Sequence, residues 1–278
     1  MNTDSLIIFY IFVIGRKHNY IYLFLLKELT LNMAFLYFVN EIFFEIVYYK
    51  RNKSINKQVL VLQILFTGYE ALLLIVVIGL SLGALVIIEG YNYLEGLGQT
   101  EWIYKILIST MVRDIAPIIT AFIILARSGT AISTELGNMV VRKEIAALKA
   151  MGIEPLSYLV APRVLGMILS MILLIFYFLI VGIFGGYIFS VLTNPLPFTE
   201  FFNRLINELK FIDIFIMVFK VALSGFLIGA ICSYQGLKVQ RASTEVPQRT
   251  IKAVMQSLFA LCAVNAFGSI FYIIIKGI

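Results

Sequence analysis

Ala126–Arg163 reads ARSGTAISTELGNMVVRKEIAALKAMGIEPLSYLVAPR. The stretch lies between two long apolar runs and is itself too polar to cross a bilayer. After Ser133 the apolar residues Leu136, Met139, Val140, Ile145, Leu148 and Met151 recur at helical spacing, with Glu135, Arg142, Lys143 and Lys149 between them. The pattern predicts a short helix lying along a membrane surface, opened at Ser133-Thr134-Glu135, closed at Gly152 and followed by Pro155. Held there between two spans, such a helix is placed to touch a partner in the adjacent aqueous phase. The plainer reading is a connecting helix that packs only on its own spans.

Outward from this stretch the chain is apolar. Of 278 residues, 61% are hydrophobic and only 14% are charged, a balance foreign to soluble domains of this size. Several runs reach the ~20 apolar residues that a bilayer crossing needs. The expected fold is therefore an all-α integral membrane protein. Its spans are predicted at Gly68–Ile88, Lys105–Ala126, Pro162 to about Ile188, Ile212–Tyr234 and Ala253–Ile275, with a short surface helix over Glu200–Lys210. Residues 59–278 form the domain that carries the five spans, and residues 1–58 an extension before it. In that extension Leu6–Gly15 is too short to span, and no clean cleavage site follows it. Tyr20–Tyr49, interrupted by Lys27, Glu28, Glu41 and Glu45, predicts helix lying in the interface. The single histidine, His18, is expected at the surface.

Lysine and arginine set the orientation. They cluster at Lys50–Lys57, in the Arg127–Arg163 stretch and after the fourth span at Lys238, Arg241, Arg249 and Lys252. The other connections are poorer in basic residues and hold Glu89, Glu95, Glu101, Glu200 and Glu208. The positive-inside rule then places the amino end and the Ser133–Met151 helix in the cytoplasm, on the side of ATP. The net charge of +6 is accounted for by these loops and does not call for nucleic acid.

Catalysis finds no support in the residues. The chain has no G-x-x-x-x-G-K-[ST] loop to cradle phosphates, no HExxH, no GxSxG and no histidine placed to act as a base. Cys232 and Cys262 lie in apolar runs without metal-ligand spacing, and both are expected as buried small hydrophobes. No cofactor is expected in this chain, and if ATP drives its work another polypeptide must bind it.

Three ionisable residues fall inside spans: Arg113, Asp114 and Lys220. Each costs about 2.5–3.5 kcal/mol at a helix centre, so each should face protein or water rather than lipid. Asp114 and Lys220 lie a similar number of residues from the outer ends of their spans. At 1.5 Å per residue both sit roughly 12–15 Å below the outer surface, so they can meet. Pro117, one turn beyond, predicts a kink at that level. The group reads either as a polar spot in a lipid-accepting cavity or as an ion pair that locks two spans. A further alternative is an ion-coupled secondary transporter using Asp114 as its cation or proton site, although no inverted repeat is evident and five spans do not divide into equal halves.

Gly79-x-x-x-Gly83 and Gly182-x-x-x-Gly186 predict close helix contacts without saying which surfaces pair. Five spans make a thin wall for a lipid-sized passage, which a homodimer would complete.

Several motifs resemble the MlaE-type permeases, the membrane subunits of the Mla/Mce lipid ABC transporters. They are Arg127-Ser-Gly-Thr-Ala131, Glu135-Leu-Gly137, Glu144 with Ala146-Ala-Leu148, Met151-Gly152, Pro155 and Pro162-Arg163. The resemblance runs over roughly residues 60–275. It includes Arg113-Asp-Ile-Ala-Pro117, where the family has Arg-Glu-Leu-Gly-Pro, as well as Tyr234-Gln-Gly236 and Ser243–Arg249. It implies a permease for lipid, with phospholipid first, and an interfacial helix before the first span. It further implies a cytoplasmic helix docked on a separate ABC ATPase, with Glu135, Gly137, Arg142, Glu144 and Lys149 at that surface. Expected partners are that ATPase, which binds the ATP, an MCE-domain carrier outside the membrane and a STAS-domain accessory subunit. The expected membrane is a bacterial inner membrane, with the plastid inner envelope as the alternative. Asp114 is one methylene shorter than the family's Glu, so a headgroup contact there need not be identical.

Overall fold

The computed structural model describes residues 19–47, 57–94, 102, 106, 108–193, 197–240 and 242–276. The expectations for Leu6–Gly15, His18, the Lys50–Lys53 patch, Glu95, Glu101 and Arg241 fall outside these residues. The chain divides into two compact units, Met1–Phe44 and Glu45–Ile278. The first holds most of helix α1 (Asn19–Val47), on which Met33, Leu36 and Tyr37 are exposed.

In the second unit α2 is Lys57–Leu94. A π-helical stretch, Ile108–Ile115, then leads into α3 (Ala116–Ile124), a second π turn at Leu125–Gly129, and α4 (Thr130–Val141). The short α5 is Glu144–Ala150. A third π turn, Leu156–Val160, opens α6 (Ala161–Thr193). It is followed by α7 (Phe198–Glu208), α8 (Phe211–Leu237) and α9 (Glu245–Lys276). Among the described residues, five helical segments are long and apolar enough to cross a membrane: Gln58–Asn92, Met111–Val141, Leu156–Leu192, Phe211–Leu237 and Glu245–Ile275. The protein is thus an all-α, multi-pass membrane protein; spans one, three and four are longer at both ends than the apolar runs suggest, span two at its C-terminal end and span five at its N-terminal end. Helix geometry does not stop where hydrophobicity does, because flanking polar residues continue the same hydrogen-bonded ladder.

Spans one and three run parallel, with register kept along most of their length. Gln63 sits beside Gly166, Gly79 beside Val181, Gly83 beside Gly182 and Tyr91 beside Ser190. The two GxxxG motifs meet each other here. A Cβ on Gly83 would fall 1.9 Å from the Gly182 carbonyl oxygen, and one on Gly185 2.6 Å from that of Leu80. Only glycine permits this approach, in which van der Waals contact between backbones holds the pair. Spans two and four are parallel as well, and α9 lies antiparallel to both, with Ser133 bonded to Thr250 and Gln235 to Gln256. Spans one and three point one way and two and four the other, as odd and even crossings must.

Two expectations are corrected. The Ser133–Met151 helix is not one element. Span two continues through Val141, with Ser133, Leu136 and Gly137 buried. Gly137 lets α4 close onto Val239 and Val246, where an added Cβ would stand only 3.1–3.2 Å away. The apolar positions before Val141 are therefore the buried face of the span itself. The break comes later, at Arg142-Lys143, where Lys143 is left-handed with φ 61°. Only Glu144–Ala150 is a separate helix between spans two and three. Its acidic first residue and Lys149 in its last turn suit its dipole, and Gly152 at φ 74° closes it. The second correction concerns Cys262, which is exposed on α9; Cys232 is buried as expected. At Pro117 the structure shows π winding immediately before the proline. Pro117 opens α3, where a missing N–H is tolerated.

Candidate functional site

The π-helical stretch Ile108–Ile115 carries Arg113 and Asp114 into the bundle at the end where α7 lies. Lys220 of α8 is 1% exposed, yet its ammonium is fully provided for. Nζ donates to the Arg113 carbonyl at 2.9 Å, to Asp114 Oδ1 at 3.1 Å and to Ser269 Oγ of α9 at 2.9 Å. Ser269 Oγ in turn donates to Asp114 Oδ1 at 2.8 Å. Three donors and three acceptors close the account that a buried ammonium demands. Gly268 makes room for the lysine stem, since a Cβ there would lie 2.3 Å from Lys220 Cε. Spans two, four and five are thus joined at one point.

A second pair sits beside the first. Arg113 Nε donates to Asp213 Oδ1 at 2.7 Å, and the Asp213 side chain is completely buried. The other carboxylate oxygen of Asp213 accepts from the Lys210 backbone N–H at 3.1 Å, capping α8. The Arg113 guanidinium stands 4.1 Å over the Tyr272 ring, a cation–π contact between spans two and five. The four charges cancel: Arg113 and Lys220 against Asp114 and Asp213. Asp114 and Lys220 meet, as their depths predict. Arg113 pairs instead with Asp213, which sequence reasoning passed over because a charge at the start of a span reads as an interfacial residue. Ser269, Gly268 and Tyr272 were likewise not singled out, because serine, glycine and tyrosine are ordinary in spans.

Exposure separates the roles. The Asp114 side chain is 52% exposed and that of Arg113 21%, while Lys220 is sealed. The cluster therefore presents the Asp114 side chain and a smaller part of Arg113 at its surface, with Lys220 behind them holding Asp114.

At the opposite end, where α5 lies, the other predicted residues separate. Glu135 belongs to α4 and accepts from Arg163 Nη2 of α6 at 2.8 Å, with Arg163 buried and Glu135 exposed. Gly137 is a packing position. Arg142 stands at the helix break, 3.9 Å from Glu144, and both are exposed. Glu144 and Lys149 lie on α5, none of whose residues is buried. Arg127 Nη2 donates to Glu70 Oε2 at 2.7 Å and its Nη1 to the Glu70 carbonyl, which ties span two to span one. Among the described residues no cluster of His, Cys, Asp or Glu has a metal-binding arrangement.

Comparison with known proteins agrees with this architecture. The profile described as Permease MlaE matches residues 60–271. A probable ABC transporter permease protein of Synechocystis is 30% identical over 215 residues, 77% of this chain and 82% of the relative. A probable ABC transporter permease protein of Rickettsia typhi is 25% identical over 203 residues, 73% and 78% of the two chains. The intermembrane phospholipid transport system permease protein MlaE of Haemophilus influenzae is 25% identical over 199 residues, 71% and 76% of the two. With the five spans and the family profile covering most of its length, the chain belongs to the MlaE permease family.

Proposed function

We propose that this chain is the permease subunit of an ABC transporter that moves lipid, phospholipid first, between a bacterial inner membrane and an extracytoplasmic MCE-type carrier. A separate cytoplasmic ATPase powers it, and two copies of the chain enclose the path. The α5 end is cytoplasmic, together with the amino end, and α1 lies in the interface. A STAS-domain subunit is a further component.

The observation that carries the reading is the graded exposure of the polar cluster. A buried, neutralised Lys220 holds a half-exposed Asp114 beside a partly exposed Arg113 within the membrane-spanning segments. A charged pair turned partly outward there suits a zwitterionic or anionic headgroup, which brings its own charges to the site. The phospholipid named for the Haemophilus relative is compatible with that chemistry. Asp114 as a transported-ion site is the weaker reading, because the Lys220 ammonium already neutralises the carboxylate and Lys220 and Ser269 both bond its Oδ1.

The test is lipid transfer by the reconstituted complex. Asp114→Ala should abolish transfer while the ATPase still co-purifies. Full transfer by that variant rejects the site. For coupling, Glu144→Lys should lose the co-expressed ATPase, and retention of the ATPase rejects α5 as its dock. A cysteine replacing Lys149, in a chain with Cys262→Ala, should react only with reagents that reach the cytoplasm.

A further inference from the structure

A half-enclosed cavity of about 220 Å³ lies at the α7 end, beside the π-helical stretch that carries the polar cluster. Met111 and Val112 supply one wall, Phe178, Leu179 and Ile183 of α6 a second, and Phe202 and Leu205 of α7 the roof. The lining is wholly apolar. Water gains nothing there, because a site without polar partners stays dry.

The roof packs against α6 through aromatic side chains. Tyr187 of α6 stacks edge-on against Phe198 at 5.2 Å and Phe201 at 5.4 Å, and Phe198 lies 4.3 Å from Phe202. Phe184 adds an edge contact to Phe202 at 6.2 Å. Glu200 and Arg204 pair on the polar face of α7, away from this seam. The aromatic clasp packs α7 against the end of α6 beside the cavity. The mouth is marked by Ile206, which lines the cavity and is 65% exposed. Phe211, at the same end and 84% exposed, continues the apolar surface outward. The walls themselves come from spans two and three, and the exposed residues at the mouth are apolar.

We propose that this cavity seats one hydrocarbon chain, taken in past Ile206 under α7. The chemistry required of the occupant is narrow: long, flexible, without polar atoms along its inserted part, and available at the membrane-facing end of α7. A phospholipid acyl chain and a free fatty acid both meet it. Because Met111 and Val112 are the immediate neighbours of Arg113 and Asp114, an inserted chain presses on the same turn that carries the polar cluster. The cavity itself does not depend on the transport reading given above.

The experiment uses the full chain in lipid nanodiscs with two photoreactive probes, each bearing a diazirine at the terminal carbon of an acyl chain. One is a phosphatidylethanolamine and the other a free fatty acid. After irradiation, peptide mapping by mass spectrometry should find label on residues 108–112 and 202–209 with at least one probe. The responding probe identifies the source of the chain. A phosphatidylethanolamine with its diazirine in the headgroup should leave these peptides unlabelled. Leu179→Trp, or Ile183→Phe if the first fails to fold, fills the space and should abolish the label on the buried residues 108–112 while leaving label on the exposed Ile206 and on the exposed face of α8 at Phe215 and Phe219. Lys220→Met should lose lipid transfer yet keep the cavity label, so that the two proposals fail separately. Absence of label from both tail probes, or label unchanged in the filled variant, overturns the assignment.

Discussion

The Cβ that Gly83 lacks would fall 1.9 Å from the carbonyl oxygen of Gly182. The obstacle is backbone on a helix that is itself held by Gly79 and Gly185, so it cannot swing aside as a side chain would. Spans one and three are therefore in contact because two glycine motifs face each other within one chain. Neither motif is left over to pair two copies.

This contact sets the first prediction. Gly83→Ala should destabilise the protein by about 1–3 kcal/mol, the usual cost of overpacking, and more if α2 must tilt away. Gly68, on the same helix, has nothing within 4 Å of an added Cβ. Gly68→Ala should be neutral or stabilising by roughly 0.5–1 kcal/mol through helix propensity. Thermal unfolding of both variants in the same nanodisc lipid is the measurement, and equal effects would contradict the packing described.

The polar cluster predicts an asymmetry. Asp114→Ala strands a buried ammonium on a carbonyl and a hydroxyl, whereas Lys220→Met leaves only a half-exposed carboxylate. Removing one partner of a buried pair costs about 3–5 kcal/mol when the remaining charge stays buried. Asp114→Ala should approach that range and Lys220→Met fall well below it. The double variant should be more stable than Asp114→Ala alone. A double-mutant cycle on unfolding free energy checks this, and a larger loss for Lys220→Met would mean that the lysine is not sealed.

Gly268→Ala probes the lysine stem. The added methyl would meet Lys220 Cε at 2.3 Å and Cγ at 2.7 Å, and the stem is pinned at Nζ by three acceptors. The variant should cost about 1–3 kcal/mol and reduce lipid transfer. Gly268→Ala combined with Lys220→Met, which removes the pinned ammonium, should recover part of the stability.

At the α5 end, Glu135 and Glu144 are expected to behave differently. Glu135 neutralises the buried Arg163, so Glu135→Lys sets two cations together and should lower stability whether or not an ATPase docks there. Glu135→Lys with Arg163→Glu should restore much of the loss. Glu144 lies on α5, where no side chain is buried. Glu144→Lys should cost about 1 kcal/mol, from the helix dipole and the exposed Arg142 contact, less than Glu135→Lys, which makes it the cleaner probe of docking. Unfolding curves for the three variants, read beside ATPase co-purification, separate the two effects.

The amino-acid sequence alone determined the number of crossings, because hydrocarbon tolerates no unpaired backbone and each span must be a long apolar helix. It also singled out Arg113, Asp114 and Lys220, since charges in a span are costly enough to need a reason, and their depths brought Asp114 to Lys220. Which other partners complete the cluster was a matter for tertiary structure. Asp213 and Ser269 lie about 100 and 155 residues from Arg113 and Asp114 in the chain, and nothing local marks either as a partner. The same holds for the glycines, whose spacing announces close contact but not with whom. It holds too for the helix read from Ser133, whose period could not reveal that its first half was already buried against α8 and α9. Periodicity records which face of a helix is apolar, whereas the neighbour that covers that face is a relation between distant segments, and only the packed bundle supplies it.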